Sequence, residues 1–95
     1  MLNIGYNHQV PVDDIIAIVD SDSAPIKRLI VRAKDVNKLF DCTKGKRTRS
    51  AIITKEDDVY LSAFTADSLA NRMETAYYLS KVVNEHSNWI HPFYR

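Results

Sequence analysis

Residues 22–36 read DSAPIKRLIVRAKDV, and they restrict the fold more than any other stretch. Asp22 or Ser23 can accept hydrogen bonds from the free N–H groups that open a helix. Pro25 suits the first turn, where its missing N–H is no loss. Ile26, Leu29, Ile30, Ala33 and Val36 then recur at helical spacing and form one apolar stripe, with Lys27, Arg28, Arg32, Lys34 and Lys38 off it. A helix with one apolar stripe needs a second layer to cover that stripe.

Short apolar runs separated by polar turns supply that layer. Leu2 to Ile4 predicts a short strand, followed by a turn at Gly5-Tyr-Asn-His8. Val10 to Val19 predicts a longer strand, whose run Ile15-Ile-Ala-Ile-Val19 suits burial on both faces, although periodicity alone also fits a helix. Lys38 to Cys42 and Arg49 to Thr54 predict two strands flanking a loop at Gly45, as a hairpin. Lys55-Glu-Asp-Asp58 predicts a turn, and Val59 to Phe64 a strand with Val59, Leu61 and Ala63 on one face. Thr65 predicts an N-cap for a second helix over residues 66–83, with Leu69, Ala70, Met73, Ala76 and Tyr77 among its apolar positions. The expected fold class is α+β: a small, mostly antiparallel sheet with two helices. Residues 1–83 form the expected single domain, and residues 84–95 an aromatic C-terminal tail containing Trp89, Ile90, Phe93 and Tyr94 that docks on its own core or on a neighbouring subunit.

A chain of 95 residues has one domain's worth of core and little margin, which makes oligomerisation a natural source of further burial. The single cysteine, Cys42, excludes an internal disulfide. No signal peptide or membrane-spanning run is legible, so a cytoplasmic location is expected.

The net charge of +1 conceals a strong imbalance. Between Lys27 and Lys55 there are ten Lys and Arg against Asp35 and Asp41, a net of +8, while the rest of the chain carries −7. The densest part is Thr43-Lys-Gly-Lys-Arg-Thr-Arg49, with Lys44, Lys46, Arg47 and Arg49 in six positions. Four like charges in one loop repel each other and gain nothing from a core. With the Thr43 and Thr48 hydroxyls and the backbone N–H groups near Gly45, they resemble a surface for phosphate oxygens. A solvated turn kept soluble by its charges is the competing reading. The basic face of the first helix favours a continuous polyanion-binding patch.

Other chemistry is weakly supported. The loop lacks the glycine order of a nucleotide-binding loop and joins two strands. Cys42 has no histidine at a spacing that places it alongside, whether His8, His86 or His91, and a lone cysteine at a strand end is ordinarily a small core residue. Asp13-Asp14 reads as a strand edge and Glu56-Asp57-Asp58 as a turn. His86 and His91, with no cysteine beside them, do not make a zinc site. No cofactor or metal is expected, and no catalytic group.

The pair S23-A-P-I-K-R28 and G45-K-R-T-R-S50, with N3-I-G-Y6, V59-Y-L-S62 and A70-N-R72, resembles the RemA-like family of bacterial extracellular matrix regulators. The resemblance runs from about Asn3 to Met73. It implies a transcriptional regulator of biofilm matrix genes that assembles into closed rings and engages double-stranded DNA along its backbone. It further implies that Lys46 and Arg47 are the family's paired loop cations, that Arg49 is the basic residue two positions on, and that Pro25 shapes the fold or a subunit contact. Asp14 stands where some relatives carry an arginine, and Lys46 lacks the two-pronged geometry of an arginine. The expected function is therefore a non-enzymatic, DNA-binding homo-oligomer, a ring, with no membrane partner. Its expected contacts are Lys44, Lys46, Arg47 and Arg49 with Lys27, Arg28 and Arg32. The alternative is an oligomeric scaffold whose basic loop meets acidic proteins.

Overall fold

A computed structural model describes residues 1–74. The elements are β1 (Leu2–Gly5), β2 (His8–Val10), a 3-10 turn (Val12–Asp14), β3 (Ile15–Asp20), α1 (Ala24–Asp35), β4 (Leu39–Asp41), β5 (Ser50–Thr54) and β6 (Val59–Ser62). A second helix, α2, begins after Thr65 and is described over residues 66–74. The expected continuation of α2 to residue 83 and the aromatic tail lie outside the described residues.

The architecture is α+β with two helices, and its sheets are mixed. β1 and β2 form an antiparallel hairpin, and the other four strands form a sheet in the order β3-β5-β6-β4. β3 and β6 each pair antiparallel with β5, whereas β4 pairs parallel with β6. α1 therefore carries the chain from one edge of the sheet to the other, and the β5–β6 hairpin fills the space between. This corrects the expected hairpin between Lys38–Cys42 and Arg49–Thr54: β6 lies between β4 and β5. Two short strands either side of a glycine turn look alike whether they pair with each other or with a third strand. Here the crossover through α1 sets β4 on the far edge.

Alternation along the strands sorts the core into two layers. Ala51, Val59 and Leu61 pack with Ala33, Ile26 and Ile30 of α1. On the other face Ile52 packs with Leu2, Ile4, Val10, Cys42 and Leu69, from the β1–β2 hairpin, the end of β4 and α2. β5 is thus covered on both sides. Its hydroxyl-bearing neighbours tie the layers together: Ser62 Oγ donates to the Ile4 carbonyl at 2.6 Å, and Ser50 Oγ donates to the Phe64 carbonyl at 2.8 Å.

The expected strand over Val10–Val19 is broken. Pro11 has no N–H for a ladder, and its carbonyl accepts from Asp14 N at 3.0 Å, closing the 3-10 turn. Nor is Ile15–Val19 buried on both faces. β3 is an edge strand, its register slips between Ile15 and Ala17, and the extra residue, Ile16, is 61% exposed.

α1 begins as the sequence predicts. Ser23 is the N-cap, its Oγ accepting from Ile26 N at 3.4 Å, and Pro25 follows in the first turn. The stripe stops one turn early. Val36 is the C-cap and 60% exposed, Asn37 takes a φ of 60°, and Lys38 N and Asn37 N donate to the carbonyls of Ala33 and Lys34. This left-handed C-terminal cap ends the helix and leaves Val36 largely exposed, in the wall of a groove shared with Ile53 and Val59 of the sheet.

Candidate nucleic-acid interface

The basic loop spans one end of the sheet. It leaves β4 at Asp41, passes the end of β6 and enters β5 at Ser50. Cys42 N donates to the Leu61 carbonyl at 3.0 Å, and Arg49 N donates to the Ser62 carbonyl at 2.9 Å. β3 ends beside it, since Asp20 pairs with Ser50, and Ser21 N and Oγ donate to the Arg49 and Thr48 carbonyls. β3, β4 and β6 run in one direction, so their carboxyl ends, the loop and the starts of both helices share this end. Ligands of α/β sheets gather at strand carboxyl ends for this reason: helix N-termini and loops meet there.

The loop's own geometry turns its cations outward. Lys46 N donates to the Thr43 carbonyl at 3.0 Å, and the two residues between, Lys44 and Gly45, have φ of 54° and 80°. Positive φ at both central positions is the signature of a type I′ turn. Asp41 anchors the turn's entry. Its Oδ1 accepts from Thr43 N at 2.9 Å and from Thr43 Oγ1 at 2.6 Å. Those two hydrogen bonds, the hydroxyl's first, hold the Asp41 carboxyl below its ordinary pKa against a weaker opposing effect of burial. Lys44, Lys46, Arg47 and Arg49 are all exposed.

Thr43 corrects one expectation. Its side chain is buried and its hydroxyl is committed to Asp41, so it presents nothing to a phosphate. Thr48 is half-buried and lines a polar groove with Arg47, Arg49, Thr65 and Ala66. Asp20, Asp22 and Asp67 line the same groove. Sequence reasoning did not place these acids beside the cations, because only the β3–β5 register brings Asp20 next to Ser50. Arg47 Nη2 lies 3.9 Å from Asp22 Oδ2, with both side chains largely in solvent.

The α1 cations divide. Lys27 and Arg28 occupy its opening turns, whose first turn contains no acid. The positive end of the helix dipole makes a cation unfavourable there, so the position is not explained by helix stability. Arg32 and Lys34 lie in the last turn, where a cation is favoured. Arg32 lines a separate groove with Leu29, Lys38 and Asp57, and Lys38 Nζ donates to the Glu56 carbonyl at 2.7 Å in the β5–β6 turn. Lys27 and Arg28 thus lie nearer the basic loop's end of the sheet than Arg32, which follows Arg28 by one helical turn and lines the groove beside Lys38 and Asp57.

Of the weaker candidates, Cys42 is the core residue that the sequence suggests, whereas Asp13-Asp14 lies in the 3-10 turn and not at a strand edge. Cys42 is buried in the core, and burial, then the Asp41 charge, push its thiol pKa up, the reverse of what a nucleophile needs. His8 is exposed on β2. His86 and His91 lie outside the described residues. Among the described residues no three His, Cys, Asp or Glu converge on a metal position, and no helix is long and apolar enough to cross a membrane.

Residues 1–73 match the family described as extracellular matrix regulatory protein A-like. A "Putative regulatory protein" of Desulforamulus reducens is 49% identical over 73 residues, 77% of this chain and 81% of the relative. Relatives with the same name in Geobacillus thermodenitrificans and Trichormus variabilis are 50% and 47% identical over 72 residues, 76% of this chain and 83% and 82% of theirs. The match takes in every strand among the described residues, α1, the whole basic loop and the start of α2, and on this ground the chain belongs to the RemA-like family.

Proposed function

We propose that the protein is a non-enzymatic regulator that binds double-stranded DNA along its phosphate backbone, as a symmetric homo-oligomer. The observation that carries this reading is the loop over residues 42–49. It holds four outward cations at the end of the sheet where the N-termini of α1 and α2 begin. Loop cations, Lys27, Arg28 and two helix dipoles add their positive potentials there and outnumber Asp20, Asp22 and Asp67 of the adjoining groove, and a phosphate is the ligand such a surface suits. Relatives named as regulatory proteins support the broader role. The family's description, extracellular matrix regulatory protein A-like, supports a regulatory role, and control of biofilm matrix genes is our extension of it.

One copy offers only a few phosphate contacts, which gives weak, salt-sensitive affinity of about 10⁻⁴–10⁻⁶ M. A closed ring multiplies those contacts by raising the effective concentration of each successive patch. Val31 and Val36 on α1 and Phe40 on β4 are exposed apolar side chains that suit subunit contacts. Phosphate contacts carry no sequence information of their own, so preference among sites comes from DNA shape and from spacing matched to the ring.

The test is binding of a labelled duplex to wild-type protein and to Arg47→Ala, with particle size measured alongside. Loss of binding with unchanged size supports the reading. Wild-type protein that forms a defined oligomer yet binds no duplex supports the scaffold alternative.

A further inference from the structure

Arg72 lies about two turns into α2, and long side chains on a helix lean back toward its N-terminus. Its guanidinium sits over the ring of Phe64, with Cζ 4.5 Å from the ring centroid. Phe64 immediately precedes the Thr65 cap, at the end of the sheet that carries the basic loop. It abuts both ends of that loop. Its carbonyl accepts from Ser50 Oγ at 2.8 Å, where the loop enters β5. Its ring lies beside Gly5: a Cβ there would be 3.8 Å from the ring and 3.7 Å from the carbonyl of Cys42, the residue after β4. The ring also packs against the core cluster that contains Ile4 and Leu69, so the platform under the guanidinium is fixed.

We infer that Arg72, held on Phe64, is a further phosphate-contacting residue of the DNA-binding surface, on the α2 flank of the basic loop. The inference rests on the reading of that loop as a duplex-binding site. Stacking engages the face of a guanidinium and leaves the N–H donors at its edge free to fork onto a phosphate. A side chain already held in place also loses less freedom when it binds. Arg72 is exposed, and among the described residues no carboxylate forms an ion pair with it. Asp67, the acid at the start of α2, is about 140° round the helix from Arg72 and faces the groove of Arg47 and Arg49 instead. α1 packs on one face of the sheet and α2, through Leu69, on the other, so Lys27 and Arg28 flank the loop on one side and Arg72 on the other. The positive surface is therefore wider than the loop. Counting charge along the chain does not find Arg72, because it lies outside the basic span of Lys27 to Lys55, among the acids.

An arginine kept only to cover Phe64 would contribute to stability and leave DNA binding alone. The two roles separate in a salt titration of a labelled duplex by the full chain, with wild type, Arg47→Ala, Arg72→Gln and Arg72→Lys compared at matched particle size. Gln is a good helix former, so Arg72→Gln should keep the helical circular dichroism of wild type. We expect it to bind several-fold more weakly, with a slope of log affinity against log salt shallower by about 0.9 for each subunit in contact with the duplex. Arg72→Lys should recover the slope, because the charge returns, and only part of the affinity, because an ammonium neither stacks nor forks. Arg72→Gln with wild-type affinity and slope, where Arg47→Ala has lost binding, would overturn the role of Arg72 and spare the reading of the loop. Weaker binding by Arg72→Gln that comes with smaller particles would overturn it by assigning Arg72 to a subunit contact. Wild-type protein that binds no duplex would overturn both.

Discussion

Arg47 and Asp22 face each other across the groove at the end of the sheet, 3.9 Å apart, with side chains 72% and 68% exposed. The pair is loose and solvated, so it restrains the Arg47 guanidinium without committing it. A phosphate that displaces Asp22 gains the same guanidinium and loses only a screened contact. Surface pairs of this kind are worth about 0–1 kcal/mol. Asp22→Asn is therefore expected to raise DNA affinity by up to about fivefold per subunit, with unfolding midpoints nearly unchanged. Anisotropy titrations at fixed salt read the change, and weaker binding by Asp22→Asn would show that the aspartate positions Arg47 for its ligand.

Asp41 gives the loop a pH dependence of definite sign. Hydrogen bonds from Thr43 lower its pKa in the folded protein below the ordinary 3.8. The stabilisation is present in full above the unfolded pKa and is lost as pH falls through the lowered folded value. Asp41→Asn should be less stable than wild type by a constant, modest amount from neutral pH down to about pH 5, with the gap closing in stronger acid. Urea melts of both proteins across pH measure this. A gap that widens in acid contradicts the assignment.

Ser62 holds the β1–β2 hairpin to the main sheet through the Ile4 carbonyl, in a buried setting. Ser62→Ala leaves that carbonyl without this donor, at a cost of about 1–3 kcal/mol. The unfolding midpoint should fall accordingly. Duplex binding at temperatures where the variant is folded should be retained, because the change lies behind the loop and not on its surface.

The N-cap of α1 and the turn of the basic loop are each testable alone. Ser23→Ala removes an acceptor for Ile26 N and should cost about 1 kcal/mol. Gly45→Ala meets no atom within 4 Å but forces a side chain onto a φ of 80°, so its penalty of about 1 kcal/mol is one of backbone conformation. Denaturant midpoints measure both, and an unchanged midpoint in Gly45→Ala would mean that the turn relaxes.

What was legible in the sequence was local. The Ser23 cap, Pro25, the turn at Lys55–Asp58 and the Thr65 cap each depend on a few adjacent residues, and each is present, with Ser68 N donating to Thr65 Oγ1 at 3.2 Å. Strand partners were not legible, because β4 pairs with β6 only through the crossover of α1 over the sheet. The same limit applies to the candidate site. Its cations were visible as a cluster in one loop, whereas Asp20, Asp22 and Asp67 reach the groove from the end of β3 and the start of α2. Arg32 looked equivalent to Lys27 and Arg28 by spacing, and only the fold shows that it lines the groove beside Lys38 and Asp57, one helical turn beyond Arg28.

The most direct test of the central claim is a salt titration of duplex binding by the wild-type oligomer and by Arg47→Ala at matched particle size. For the wild type, log affinity should fall linearly with log salt, with a slope of about −0.9 for each phosphate neutralised. Arg47→Ala should bind far more weakly with a shallower slope, as an intact assembly. Wild-type affinity indifferent to salt, or a mutant whose binding and slope match wild type, would contradict the account.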